Sequence, residues 1–153
     1  MKILLLSVGK TKNLHLISLI REYEERLHHF CDLTLTEIKP VEERETARMM
    51  DQEGEGLLAR IRPAAYVLAL DPGGESLTSE KFATLIRDRR EHSLKELVFV
   101  IGSHLGLSNQ VKKRADKVLS LSAMTLNHEL ARLVLIEQIY RAFTLIHHVP
   151  YHK

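Results

Sequence analysis

The side chains best suited to chemistry gather in the last stretch of the sequence, residues 119–153. Arg132 and Arg141 interrupt a helical pattern that is otherwise apolar, and an arginine in such a place needs a carboxylate, a phosphate or another anion as its partner. The pattern ends in the tail, Pro-Tyr-His-Lys at 150–153, which places an imidazole after a helix-ending proline. Because imidazole takes up protons near neutral pH, His152 is the first candidate for acid–base chemistry.

Tyr151 and His128 complete this candidate set, because Tyr151 places a phenol beside His152 and His128 stands where the helical pattern begins. Structural roles remain open for all of these residues. Glu137 lies at helical spacing from the arginines and could simply pair with one of them. A lone histidine is likewise more often a satisfied structural residue than a catalyst.

A loop without charge lies just before this helix. It consists of Ser122, Ala123, Met124, Thr125 and Leu126. Backbone groups would supply most of its polar contacts, which suits a neutral aromatic base such as adenine between apolar side chains, and such a pocket also tolerates a sulfonium. The alternative is a plain connection between a strand and a helix.

A second loop contains Gly102 and Gly106. It lacks the Lys-Ser/Thr of a phosphate-binding loop and the G-x-G-x-x-G of dinucleotide-binding folds, which excludes both motifs. Two interpretations remain, namely two tight turns or a close approach of the backbone to a ligand with little anionic character.

Hydrophobic patterning predicts alternating strands and helices that position these loops. Strands are predicted at Lys2–Val8, Asp32–Ile38, 66–70, Glu96–Ile101 and 118–121. Helices are predicted at 13–29, 42–61, 78–92, 109–115 and from 125 or 127 onward, with turns at 71–75. This order favours an α/β fold with a mainly parallel sheet and helices on both faces, in one domain over residues 1–153. Ligands of such sheets lie beyond the carboxyl ends of strands, here after Leu70, Ile101 and Leu121.

Composition and charge narrow the class of protein. The 153 residues carry a net charge of +2 with nine histidines, which is compatible with RNA as a partner. The single Cys31 excludes an internal disulfide, and no set of residues has metal-ligand spacing, so no metal is predicted. No apolar run approaches the roughly 20 residues of a membrane span. The apolar run at the start of the chain is too short for a signal peptide. Both observations predict a cytoplasmic protein without membrane contact.

The last helix is apolar nearly all round. Its apolar residues are Leu130, Leu133, Val134, Leu135, Ile136, Ile139, Tyr140, Phe143, Leu145 and Ile146. A helix of this kind is buried on more than one side, so a two-fold homodimer is predicted, with a central helix within one chain as the alternative.

Three segments together resemble the RlmH family of SPOUT methyltransferases, namely VFVIGSHLGLS (98–108), LSLSAMTLNHELARLVLIEQIYRAF (119–143) and PYHK (150–153). The start KILLLSVGK and the turn LALDPGGE agree, so the resemblance covers essentially the whole chain. It implies an S-adenosylmethionine-dependent enzyme that methylates N3 of a pseudouridine in helix 69 of 23S rRNA, on the assembled ribosome. It also implies a deep trefoil knot near the end of the chain and an obligate homodimer.

The resemblance also implies the roles of individual residues. The cofactor would bind Leu70, Gly102, Leu121, Ser122, Ala123, Met124, Thr125 and Leu126, which lie at the three strand ends. His128 matches the family's histidine at the helix start, and the tail matches the family's tail. We hypothesise that His152 acts as base or proton relay and that Tyr151 orients the target base. Arg132 and Arg141 would hold phosphate or the developing negative charge, and the tail of one subunit would complete the site of the other.

The sequence departs from the family pattern at two positions, with Ser103 in place of a second glycine and Asn127 in place of a common proline. Both departures affect the shape of the loops.

A basic cluster, Lys112, Lys113, Arg114 and Lys117, either contacts the rRNA backbone or forms a solvated helix face. Two other classes of protein stay open, namely a non-catalytic ribosome- or RNA-binding module and a nucleotide-binding α/β protein.

Overall fold

The structure, a computed structural model, describes residues 1–92 and 94–151. Its strands are β1 (Lys2–Val8), β2 (Asp32–Ile38), β3 (Tyr66–Ser76), β4 (Glu96–Ile101) and β5 (Lys117–Ser120). Its helices are α1 (Leu14–Leu27), α2 (Thr46–Leu58), α3 (Ser79–Glu91), α4 (Asn109–Arg114) and α5 (His128–Ile146). The predicted α/β class is therefore confirmed.

The strands form one sheet in the order β2-β1-β4-β3-β5, and every neighbouring pair is parallel. Helices α1, α3 and α5 pack on one face, and α2 and α4 pack on the other. Strand β4 shows why its sequence is a continuous apolar run. Leu97 and Phe99 point into the first core while Val98 and Val100 point into the second, so both faces of the strand are buried.

Side chains close by in the sequence cap the starts of four helices. Asn13, Thr78, Ser108 and Asn127 all accept a hydrogen bond from the first turn of the helix that follows. Most predicted boundaries lie within two residues of the observed ones. The exceptions are α2 and β3.

The turn predicted at 71–75 is wrong in part, because β3 resumes after a bulge. Leu70 and Glu75 both pair with Leu119 of β5, and Ser76 pairs with the next residue of that strand. At Gly74 a Cβ atom would lie 2.6 Å from the backbone carbon of Leu119. A glycine therefore allows the returning chain to lie directly against β5.

Helix α2 is shorter than the predicted 42–61, since it begins at Thr46 and ends at Leu58. Gly54 and Gly56 both lie inside it, although an interior glycine costs about 1 kcal/mol of helix stability. A Cβ atom at Gly54 would lie 2.2 Å from Ser108 Oγ. This glycine therefore lets α2 pack against the start of α4.

Helix α5 lies between α1 and α3 with Leu135, Ile139 and Phe143 buried against the sheet. Leu130 on its outer side is 44% exposed. No helix in the described part of the chain is long and apolar enough to cross a membrane. The trefoil knot stays a prediction.

Candidate functional site

A cleft of about 450 Å³ lies beyond the carboxyl ends of β4 and β5 and beside the bulge of β3, where the predicted strand 66–70 ends, and we call it the strand-end cleft. Three chain segments line it, namely 70–72, 101–106 and the stretch from Leu121 to Ala131. These are the three strand ends that turn chemistry indicated in the sequence. The volume is in the range of small-molecule sites, about 300–1,000 Å³.

Seven of the eight predicted cofactor residues line the strand-end cleft. They are Leu70, Gly102, Leu121, Ser122, Met124, Thr125 and Leu126. Ala123 lies in the same loop but is not among the lining residues. Met124 is 76% exposed in the structure, so its apolar side chain is available to cover a bound ligand.

The glycine loop, residues 102–106, forms one wall of this cleft as a closed turn. The amide N–H of Gly106 donates to the carbonyl oxygen of Ser103 over 2.9 Å, and Gly106 has a φ of +86°. A Cβ atom at Gly102 would lie 2.2 Å from the carbonyl oxygen of Gly106. These contacts confirm the interpretation of the two glycines as residues of a tight turn, and the close approach of the backbone to a ligand stays a prediction.

Asp71 is a cleft residue that sequence reasoning did not single out, although its turn was noted. Its Oδ2 lies 2.5 Å from Lys112 Nζ, and its Oδ1 accepts the amide of Gly73 over 2.9 Å. The hydrogen bond from Lys112 lowers the pKa of the Asp71 carboxyl. The rim of the cleft thus has one carboxylate, and this carboxylate forms an ion pair with a lysine.

His128 forms the end of the cleft at the first turn of α5. Its Nε2 lies 3.6 Å from the place of a Cβ atom at Gly9, beside the end of β1. Glu129 secures this turn, because its Oε2 accepts the amides of Lys12 and Asn13 over 2.9 and 3.1 Å. The amide of Asn13 in particular lowers the pKa of the Glu129 carboxyl.

Arg132 is only 1% exposed and does not line the cleft. It donates to the carbonyl oxygen of Gly9 over 2.8 Å, to Glu37 Oε1 over 2.7 Å and to the Thr11 hydroxyl. Burial lowers the pKa of its guanidinium, and the charge of Glu37 opposes this. Arg132 thus joins α5 to the loop that follows β1 and to the end of β2.

Tyr151 and Arg141 meet on the outer part of α5. The Tyr151 hydroxyl lies 3.1 Å from Glu137 Oε1 and 3.1 Å from the hydroxyl of Tyr23. Arg141 donates from Nε and Nη2 to the same Glu137 oxygen, and its guanidinium lies 4.8 Å from the centre of the Tyr151 ring. Burial and these hydrogen bonds raise the pKa of Tyr151 well above its usual range.

This tail contact is remote from the strand-end cleft of the same subunit. Glu137 and Arg141 stand six and ten residues beyond Ala131, or about 9 and 15 Å along the helix axis. Tyr151 is not among the residues that line the cleft of its own subunit. The candidate base His152 and its neighbour Lys153 lie outside the described residues.

The basic cluster is largely occupied by carboxylates. Lys112 pairs with Asp71, and Lys117 pairs with Glu75 over 2.8 Å. Arg114 lies 3.5 Å from Asp116 and also donates to the carbonyl oxygens of Arg62, Pro63 and Ala65. These contacts favour the interpretation as a solvated helix face.

Among the residues that the structure describes, no group of three or more His, Cys, Asp or Glu side chains could hold a metal ion. Cys31 is buried, and burial raises the pKa of its thiol to about 11. It is a residue of the hydrophobic core.

Comparisons with known proteins agree over the full chain. A family model described as "Predicted SPOUT methyltransferase" matches residues 1–152. Proteins named ribosomal RNA large subunit methyltransferase H from Carboxydothermus hydrogenoformans and Streptococcus sanguinis are each 42% identical over 159 aligned positions that cover 100% of both chains. The crystal structure of a "Probable Methyltransferase" from Bordetella pertussis has a TM-score of 0.58 at 15% identity, covering 92% of this chain and 95% of that one, which supports the fold alone.

Proposed function

The chain belongs to the SPOUT methyltransferase family, and we propose that it is an S-adenosylmethionine-dependent methyltransferase of 23S rRNA. Its target in this proposal is N3 of a pseudouridine in helix 69, modified on the assembled ribosome in the cytoplasm. The observation that carries the proposal is the strand-end cleft, where seven of the eight residues implied for the cofactor lie together. The name shared by its 42% identical relatives supports rRNA as the substrate.

The residues of the strand-end cleft fit S-adenosylmethionine. Leu70, Leu121 and Leu126 offer apolar walls for an adenine ring, and the glycine loop offers backbone groups close to the ligand. Ser122 holds its own loop in place, since its Oγ accepts the amide of Met124 over 3.0 Å. The cofactor would supply a methyl group activated on its sulfonium.

The protein must align the target nitrogen with that methyl group and remove the N3 proton. We assign proton removal or relay to His152 and orientation of the base to Tyr151. The raised pKa keeps the Tyr151 phenol protonated, so Tyr151 acts as a hydrogen-bond donor rather than as a base. Arg141, beside Tyr151 and 24% exposed, suits the developing negative charge on the ring better than the enclosed Arg132 does.

A homodimer would bring the two parts of this site together. In one subunit the cleft and the tail contact stand about 9–15 Å apart along α5, while Leu130 leaves an apolar side chain of α5 exposed. Packing α5 against a second copy would cover this side and place the tail of one subunit at the cleft of the other. His128, at the end of the cleft, would then face the partner's tail.

Target choice would come from the shape of the ribosome more than from the basic cluster, whose lysines 112 and 117 and Arg114 are paired with carboxylates. The test is methyl transfer from labelled S-adenosylmethionine to ribosomes that contain pseudouridine or uridine in helix 69. The proposal predicts label only in the pseudouridine ribosomes, at N3. Ribosome binding without methyl transfer to either would instead support a non-catalytic RNA-binding module.

A further inference from the structure

Glu53 of α2 is a buried carboxylate that the mechanism above does not use. It is only 2% exposed. Its Oε1 accepts the amide of Val41 over 3.2 Å, and its Oε2 accepts the hydroxyl of Ser103 over 2.7 Å. The ion pairs formed among residues 1–92 and 94–151 do not include it. The two neutral donors are therefore important, because a buried carboxylate without hydrogen bonds is costly.

The packing of α2 fixes this carboxylate beneath the glycine loop. Gly54 brings the helix so close to α4 that an added Cβ would lie 2.2 Å from Ser108 Oγ, and Ser108 caps α4 directly after the loop. Glu53 is the neighbouring residue of the same helix turn. Its position relative to the loop is thus set by backbone packing rather than by a flexible side chain.

Ser103 connects the Glu53 carboxylate to the glycine loop through hydrogen bonds. Its hydroxyl donates to Glu53 and accepts the amide of Leu105 over 3.3 Å, while its carbonyl oxygen accepts the amide of Gly106 over 2.9 Å. The loop that these bonds close is one wall of the strand-end cleft. Ser103 is also the position where the sequence departs from the second glycine that the resemblance implies, and a glycine there would offer no hydroxyl to Glu53.

We infer that Glu53 and Ser103 are positioning residues for the methyl donor, holding the glycine loop in the conformation that binds it. This inference rests on the proposed function. Because each group satisfies the other inside the protein, removing either one leaves the loop free to adopt other conformations and leaves a polar atom of its partner without that bond. Cofactor affinity should then fall even where the fold persists.

The experiment is calorimetric titration of the full chain with S-adenosylhomocysteine. We expect Ser103→Ala to raise the Kd about tenfold, the effect of one hydrogen bond to a charged group. Glu53→Gln should have a similar effect, and the double variant should be no weaker than the worse single variant because the two residues act through one bond. The rate at saturating S-adenosylmethionine should change by less than about twofold, since the inference concerns binding and not the chemical step.

Two further variants make the test specific. Ser103→Thr keeps the hydroxyl and should bind within about threefold of wild type. Ser7→Ala removes another buried hydroxyl, one without a hydrogen-bond partner among the described residues, and should leave the Kd unchanged. If Glu53→Gln does not fold, the comparison of Ser103→Ala with Ser103→Thr decides the question alone.

The outcomes separate this inference from the function on which it rests. A wild-type chain that does not bind S-adenosylhomocysteine would contradict the proposed function. A wild-type chain that binds it, together with a Ser103→Ala variant of equal affinity, would overturn the positioning role and leave the function standing. Additive losses of affinity in the double variant would also overturn it, because the effects of independent residues add.

Discussion

The hydroxyl of Tyr151 lies 3.1 Å from Glu137 Oε1, which places the last described residue against the middle of α5 in its own subunit. Glu137 binds Arg141 through the same oxygen. The carboxylate that sequence spacing suggested as a partner for an arginine therefore also holds the tail. This arrangement separates the tail from the strand-end cleft and leads to the proposal of a site shared between subunits.

The Tyr151 phenol should remain protonated throughout the neutral range. Its pKa in the folded protein is raised above that of an unfolded tyrosine, about 10. The stability it contributes is therefore full below about pH 10 and is lost at higher pH, where the unfolded chain ionises more readily. Ultraviolet titration of wild type and Tyr151→Phe should differ only above pH 10. A phenolate signal from Tyr151 at lower pH would contradict the hydrogen-bonding role.

Replacing Arg132 should destabilise the fold. In Arg132→Met the carbonyl of Gly9 and the carboxylate of Glu37 each lose a charged donor, so we expect the free energy of unfolding to fall by about 2–4 kcal/mol in urea denaturation. The matched control is Arg141→Met, because Arg141 is 24% exposed and pairs in a more solvated place. Its free energy of unfolding should fall by about 1 kcal/mol or less. Equal decreases in the two variants would contradict a structural role particular to Arg132.

Neutralising Lys112 should leave the salt dependence of ribosome binding unchanged, because its charge is shared with Asp71 at 2.5 Å. Filter binding at several salt concentrations measures the slope of log affinity against log salt, whose magnitude decreases by roughly one for each phosphate that the protein no longer neutralises. Lys113→Ala is the control, since Lys113 belongs to the same cluster and helix. A slope whose magnitude falls by about one in Lys112→Met would show that the basic cluster contacts the rRNA backbone.

The Cys31 thiol should be inert in the native protein. Burial raises its pKa from 9.0 to about 11, so at pH 8 the thiolate fraction is about 100-fold smaller than for a thiol with the ordinary pKa. A disulfide reagent should label Cys31 at least that much more slowly before unfolding in urea than after it. Labelling at the same rate in both states would show that the thiol is accessible.

Those parts of the fold that depend on local pattern were predictable from the sequence. The bounds of β1, β2 and β4 matched because apolar runs and alternation define a strand within itself. The starts of α1 and α4 matched within one residue because the caps Asn13 and Ser108 act within one helical turn. The three cleft loops were predictable for a related reason, since carboxyl ends of parallel strands meet at one edge of the sheet.

Features that depend on distant contacts were not predictable. The return of β3 at Glu75 requires pairing with Leu119, far along the chain. Glu53 lies in the predicted helix 42–61, and its burial depends on Gly54 packing against Ser108. From the sequence alone, a glycine inside a helix only lowers helix stability. The role of Gly54 becomes visible once the two helices are seen together.

The shared site can be tested most directly with mixed dimers. One subunit carries Gly102→Ala, whose Cβ would lie 2.2 Å from the Gly106 carbonyl oxygen and disrupt the cleft. The other lacks residues 151–153. Each homodimer should be inactive in methyl transfer to pseudouridine-containing ribosomes. A verified heterodimer should have about half of the wild-type activity, because one of its two symmetric sites combines an intact cleft with an intact tail. No activity in the heterodimer would contradict the account, because a site built within one subunit leaves both of its copies damaged.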